Sequence, residues 1–255
     1  DAPTSTRLDS IKSYMEEDGI FSYHRQFIEN NVLSTLGDGW VEESLKSLEL
    51  RLGNHCNLAC NMCWGYSSSK INAERLHLLK SRDVDMPEWL FEMWYPSEYD
   101  ISKINMMWHE NPKFLENFKK IAPTLKRLYV TGGEPSIIEA NTKIINHLIE
   151  IGNKECHISF TTNLTTWNLD LYEKLDFFDR SEVQISLDGF DKSQEYIRYG
   201  SSWEVVSKNF KKLIQLPDKV RIQIYTVFQV YNMFETYKMM KWLDSLRMDG
   251  LLNRE

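Results

Sequence analysis

Leu48, Leu50 and Leu52 alternate with polar residues, the two-residue period of a strand with one apolar face, and Gly53-Asn54 ends the run. The same signals predict strands at 125–131, closed by Gly132-Gly133, and at about 156–162, closed by Asn163. Two more are predicted at 183–187, closed by Asp188-Gly189, and from Val220 through Ile222 and Ile224. Between the strands, apolar residues return at helical spacing. Ile138, Ile145, Leu148 and Ile149 form one stripe, and Val205, Val206, Phe210, Leu213 and Ile214 a second. Met239, Met240, Trp242, Leu243 and Leu246 form a third. Ahead of all this, residues 1–46 read as polar and helical. Phe21, Phe27, Ile28 and Leu33 share a face near 21–36, and Gly37-Asp38-Gly39 breaks the pattern.

Strands alternating with helices predict βαβ units, right-handed crossovers and a parallel sheet. The expected architecture is α/β: a partial (β/α)6-type parallel barrel over 47–255, preceded by a helical N-terminal extension, 1–46. A helical insertion at about 65–124 separates the first strand from the second. Five strands are counted, and a sixth is expected beyond Glu255. The insertion holds Trp89, Trp94, Tyr95, Tyr99 and Trp108, read as packing added helices onto the barrel rather than as a lid. If the leucines of the first strand face helices, Glu49 and Arg51 face the barrel lumen and make it polar.

Composition narrows the function classes. The chain has 255 residues, 42% hydrophobic and 26% charged, which suits one large soluble domain. The net charge of −7 lacks the basic footprint of duplex binding, so nucleic acid is not expected as a partner. No apolar run reaches about 18 residues, so no membrane span is expected, and a cytoplasmic location fits. Three of the four cysteines lie within eight residues. A disulfide framework would spread them out; a cluster reads as a metal site.

That cluster is His55-Cys56-Asn57-Leu58-Ala59-Cys60-Asn61-Met62-Cys63-Trp64, immediately after the first strand. Three thiolates in a short loop can hold three iron corners of a cubane and leave the fourth open to a chelating cofactor. They can also hold a structural zinc, with His55 or a remote residue as fourth ligand. Leu58, Met62 and Trp64 are candidate apolar shields. Cys156, inside a strand pattern, reads as a small buried hydrophobe. Thr131-Gly132-Gly133-Glu134-Pro135 closes the second strand. Its glycines allow close backbone approach to a ligand, and Glu134 offers a carboxylate to a ligand ammonium. Taken alone, it is also an ordinary turn. Thr162-Asn163 ends the third strand, and Ser186-Leu187-Asp188-Gly189 the fourth, with Arg198 twelve residues beyond Ser186.

The C-x3-C-x2-C spacing, followed in order by these three elements at successive strand ends, resembles the radical SAM superfamily over roughly residues 47–240. The resemblance implies a [4Fe–4S] cluster on Cys56, Cys60 and Cys63 whose open iron binds the amino and carboxylate groups of S-adenosylmethionine. Reductive cleavage would give a 5′-deoxyadenosyl radical that abstracts a substrate hydrogen. By the family pattern, Gly132, Gly133 and Glu134 hold the methionine amino group, and Met62 places its backbone near adenine. Ser186 and Arg198 serve the ribose or carboxylate, and Asn163 either touches the cofactor or only caps the turn. A reductase or a flavodoxin- or ferredoxin-type protein is the implied electron donor. The pattern looks most like the branch with SPASM or twitch auxiliary domains, which points to a peptide or protein substrate. A nucleoside or sugar derivative is the next choice within this chemistry. Outside it stands a non-catalytic zinc-binding module. Auxiliary clusters need further cysteines, and residues 1–46 contain none.

Overall fold

The computed structural model describes residues 45–81, 87, 89 and 104–249. Residues 1–44 of the predicted extension, and Trp94, Tyr95 and Tyr99 of the insertion, lie outside the described residues. Five parallel strands form one sheet in the order β1-β2-β3-β4-β5: β1 Ser47–Arg51, β2 Arg127–Thr131, β3 His157–Thr162, β4 Ser181–Ser186 and β5 Val220–Tyr225. Sequential order with helical crossovers is the arrangement of a partial barrel. Among the described residues β1 and β5 are the sheet edges.

The helices fall where the apolar stripes predict them. α3 Glu139–Glu150, α6 Trp203–Leu213 and α7 Thr236–Met248 bury Ile144, Ile145 and Leu148, then Val206, Phe210 and Leu213, then Met239 and Leu246. Two short helices, α4 Leu169–Tyr172 and α5 Lys192–Ile197, lie between. Within the predicted insertion are α1 Ser69–Ser81 and α2 Pro112–Ile121. α2 has the punctuation of a well-defined helix. The Asn111 side chain accepts the Lys113 N–H at 3.0 Å, Pro112 opens the first turn, and Lys119 and Lys120 face the C-terminal dipole. Trp108 meets Phe114 of α2 edge-on at 5.1 Å.

Strand boundaries shift slightly from the sequence pattern. β2 opens at Arg127 rather than 125, because Pro123 lies in a 3-10 turn, Ala122–Thr124, and Leu125 enters the core from the residues that follow. Cys156 precedes β3 and is fully buried in the apolar core; burial pushes its thiol up to about 12.

Alternation along the strands divides the sheet. Leu50, Leu128, Val130, Ile158, Phe160, Val183 and Ile185 are buried with the helices. The opposite residues are polar and linked: Tyr129 Oη meets Thr161 Oγ1 at 2.9 Å, Thr161 donates to Gln184 at 2.9 Å, and Gln184 donates to Glu182 at 2.8 Å. Arg51 pairs with Glu49 at 2.9 Å. The inner face is therefore polar, as the leucine alternation of β1 predicts.

His157 opens β3 half-buried, and its Nε2 has no hydrogen-bond partner. Burial, then Arg180, Arg127 and Arg221, hold its pKa down at about 4, against the pull of Glu182. An unfolded histidine titrates near 6.5. Below that pH the unfolded chain binds a proton that the fold refuses, so stability falls as pH drops from about 6.5 to about 4. His157→Gln should lose less thermal stability than wild type across this window, measured by melting temperature against pH. An identical slope in the two proteins removes His157 as the cause.

Among the described residues, no helix is long and apolar enough to cross a membrane.

Candidate active site

Parallel strands place all five C-terminal ends on one edge, and the loops that leave this edge converge. The cysteine loop leaves β1 and is clamped from four directions. From the start of α1, Ser69 N–H donates to Asn54 O at 2.7 Å and the Ser68 hydroxyl to Leu58 O at 2.7 Å. From the end of β2, Glu134 N–H donates to His55 O at 2.8 Å. From the residues after β3, Asn57 donates to Thr165 Oγ1 at 2.7 Å and Asn163 donates to Asn57 Oδ1 at 3.0 Å. Beyond these, Ala59 N–H donates to Tyr199 O and Asn61 N–H to Ile197 O, both at 2.9 Å, tying the loop to the end of α5. Leu58 anchors it, fully buried.

Gly132 and Gly133 fit against this loop with φ of +86° and +53°. A Cβ on Gly132 would stand 2.9 Å from Gly53 O, and one on Gly133 only 2.2 Å from His55 O. Both the left-handed conformation and the space require glycine here. The close approach predicted from the sequence thus exists, but it is made to the backbone of the cysteine loop.

Together these elements enclose a cavity of about 150 Å³. Its wall contains Cys56, Cys60, Cys63, Gly132, Gly133, Glu134, Asn163, Ser186 and Arg198, along with Arg51. Of the residues that the resemblance assigns to cluster or cofactor, Met62, which is half-buried, is the one not part of this wall; the candidate shields Leu58 and Trp64, and His55, are not part of it either. Trp64 is 62% exposed, its indole N–H donating to Ser67 at 3.0 Å. It does not shield the thiols, because the turn after Cys63 carries it outward. A larger cavity of about 450 Å³ borders His109, Lys143 and the first turns of α2 and α3, and contains no thiol.

Electrostatics divide the cavity between acceptor and donor. Glu134 is buried and accepts from Ser136 N at 3.0 Å, Thr162 Oγ1 at 2.8 Å and Asn163 N at 2.6 Å. Burial still pushes its pKa up. A carboxylate has about four acceptor positions, so one remains on Oε2. Arg198 lies opposite. Its Nε meets Asp188 Oδ2 at 2.7 Å, and its Nη1 stands 3.9 Å from Cys60 Sγ. Burial raises the pKa of all three thiols, and Arg198 is the nearby cation that opposes this at each.

The donor set can be tested against the two metal readings. A zinc ion needs its ligands within about 2.0–2.3 Å of one point. Among the described residues, no three His, Cys, Asp or Glu side chains converge in that way. The three thiols instead share the wall of one cavity, and a cubane spreads its thiolates over separate irons. The residues present fit the cluster.

A family model described as "Radical SAM superfamily" matches residues 50–243. The chain belongs to the radical SAM superfamily. Within this radical SAM chain the match runs from β1 into α7 and includes every cavity residue named above. No curated protein sequence matches it. Among solved structures, anSMEcpe with bound AdoMet is 20% identical, with 78% of this chain and 49% of that one covered and a TM-score of 0.49. Streptococcus suis SuiB is 14% identical, with 96% and 48% covered and a TM-score of 0.49. SuiB bound to the precursor peptide SuiA is 16% identical, with 93% and 45% covered and a TM-score of 0.48. The radical SAM chain spans about half the length of these structures.

Several ties of this radical SAM site are silent in the sequence. Ser68 caps α1, accepting Ile71 N at 3.3 Å, and a serine pair before a helix signals that much. Asn57, Thr165 and the Asp188 carboxylate carry no such signal, because their partners are distant along the chain.

Proposed function

We propose that this chain is the catalytic core of an enzyme that cleaves S-adenosylmethionine reductively and abstracts a hydrogen atom from a peptide or protein. Cys56, Cys60 and Cys63 hold the [4Fe–4S] cluster, and the single observation that carries this reading is their shared cavity with Gly132, Gly133, Glu134, Asn163, Ser186 and Arg198. When bound, the cluster and S-adenosylmethionine supply the electron and the 5′-deoxyadenosyl radical. The chain's own residues bind and orient. Glu134 has one acceptor position left for the ligand ammonium, and Arg198 keeps N–H groups beyond the one facing Asp188 for the ligand carboxylate. Ser186, at the last position of β4, offers a hydroxyl to the same ligand. The Met62 backbone is assigned to adenine by the family pattern alone.

Arg51 carries the polar inner face up to the cavity, which suits a substrate with polar groups. Tyr196 and Tyr199, whose carbonyls hold the cysteine loop, and Tyr225, at the end of β5, are exposed and offer aromatic surface to a peptide. The SPASM or twitch branch belongs to the same proposal and rests on the overall pattern of the motifs. A reductase, flavodoxin or ferredoxin is the proposed source of the electron.

The test is anaerobic. Protein reconstituted with iron and sulfide, then reduced with S-adenosylmethionine present, should turn brown, hold about four irons per chain and release 5′-deoxyadenosine. Stoichiometric zinc without a chromophore, or a cluster that never cleaves the cofactor with any peptide offered, is the contrary result.

A further inference from the structure

Asp188 is fully buried and is not part of the cavity wall. Its surroundings immobilise it. Its own N–H and that of Gly189 both donate to Gln194 Oε1, at 2.9 and 3.0 Å, and its carbonyl accepts from Asn232 Nδ2 at 2.9 Å. On the side chain, Oδ1 accepts the Val227 N–H at 2.7 Å. What remains is Oδ2, which stands 2.7 Å from Arg198 Nε as an ion pair whose N–H is not aligned for a hydrogen bond, neither atom having another partner.

A guanidinium is planar and rigid, so fixing Nε fixes the fork at its other end. That end places Nη1 3.9 Å from Cys60 Sγ. We infer that Asp188 is a positioning residue that holds Arg198 against the Cys60 thiolate and thereby raises the reduction potential of the cluster. This rests on the reading that the three cysteines carry the cluster. Positive charge and N–H donors at cluster sulfurs favour the reduced, more negative state. Among the described groups, Arg198 is also the cation that acts on Cys56, Cys60 and Cys63 alike.

The experiment is a redox titration of the reconstituted full chain, followed by the reduced-cluster EPR signal, with iron content measured alongside. In Asp188→Asn two effects compete: loss of the carboxylate that acts on Cys60 raises the potential, and release of the guanidinium lowers it; the inference requires the second to dominate, so the midpoint potential should fall with iron content unchanged. The buried arginine loses its partner in that variant, which can unfold it. Arg198→Lys therefore serves as the second variant. It keeps both charges, but one ammonium cannot span Asp188 and Cys60, so its potential should fall as well. An unchanged or raised potential in Asp188→Asn overturns the inference. Where Asp188→Asn does not fold, an unchanged potential in Arg198→Lys does the same. If wild type takes up no cluster, the reading of the cysteines fails and the inference with it. If wild type loads and the variants keep its potential, the inference fails alone.

Discussion

Cys60→Ala should take up no stable [4Fe–4S] cluster and release 5′-deoxyadenosine only at the level of a protein-free control. Cys60 is buried, its carbonyl accepts the Cys63 N–H at 2.9 Å, and its thiol faces Arg198. Removing the thiol leaves two ligands where three are needed to hold a cubane by its corners. The backbone clamps on Asn54, His55, Asn57 and Ala59 do not involve that sulfur, so the fold should survive. Cys156→Ala is the matched control. Cys156 precedes β3, and at about 3.3 Å per residue the strand carries it roughly 20 Å from Thr162-Asn163. Its loss costs core packing of about 1–2 kcal/mol but no iron. Iron analysis, visible absorption and product release separate the two variants. Full loading in Cys60→Ala, or lost loading in Cys156→Ala, contradicts the assignment.

The contrast between these cysteines was legible before any coordinates. Three thiols in a glycine-led loop announce chemistry by spacing alone, and one thiol among alternating apolar residues announces packing. Helix faces were legible for the same reason: Ile145, Leu148, Phe210 and Leu213 obey a local period that burial enforces. Register errors arose where a local rule met a tertiary one, as at Leu125, which is apolar enough for a strand yet packs from a turn after Pro123. Trp64 was read as a shield from its neighbours in sequence, but its direction depends on the turn at Trp64–Ser67, where Ser67 N–H bonds back to Trp64 O at 3.0 Å. The Asp188–Arg198 pair was half legible. Both residues stand in a motif, but only the fold shows that the carboxylate pairs with the arginine.

Glu134 carries two expectations that one substitution cannot separate. Its carboxylate joins the end of β2 to the end of β3 through Thr162 Oγ1 and Asn163 N, and it caps the 3-10 turn Pro135–Ile137 through Ser136 N. In Glu134→Ala, the Thr162 hydroxyl can turn to Tyr172 Oη, 3.1 Å away. The Ser136 and Asn163 N–H groups have no such alternative acceptor. Two buried donors left unpaired cost about 2–6 kcal/mol together. Asn163 also faces Asn57 and stands 4.0 Å from Cys56 Sγ, so the loss reaches the cysteine loop. Glu134→Ala should therefore melt earlier and bind S-adenosylmethionine at least about tenfold more weakly, a charge-assisted contact being worth that much. Glu134→Gln separates the roles. Its amide oxygen can still accept from Ser136 and Thr162, but the amide nitrogen is a donor facing the Asn163 N–H. Stability should fall less than in the alanine variant, iron content should stay at the wild-type level, and cofactor affinity should fall nearly as far, because the ammonium loses its anion. Denaturation midpoints and equilibrium binding of labelled cofactor, measured on the reconstituted proteins, decide the matter. Wild-type affinity in Glu134→Gln would leave the residue a structural tie between strands, and the ammonium would need another acceptor in the cavity wall.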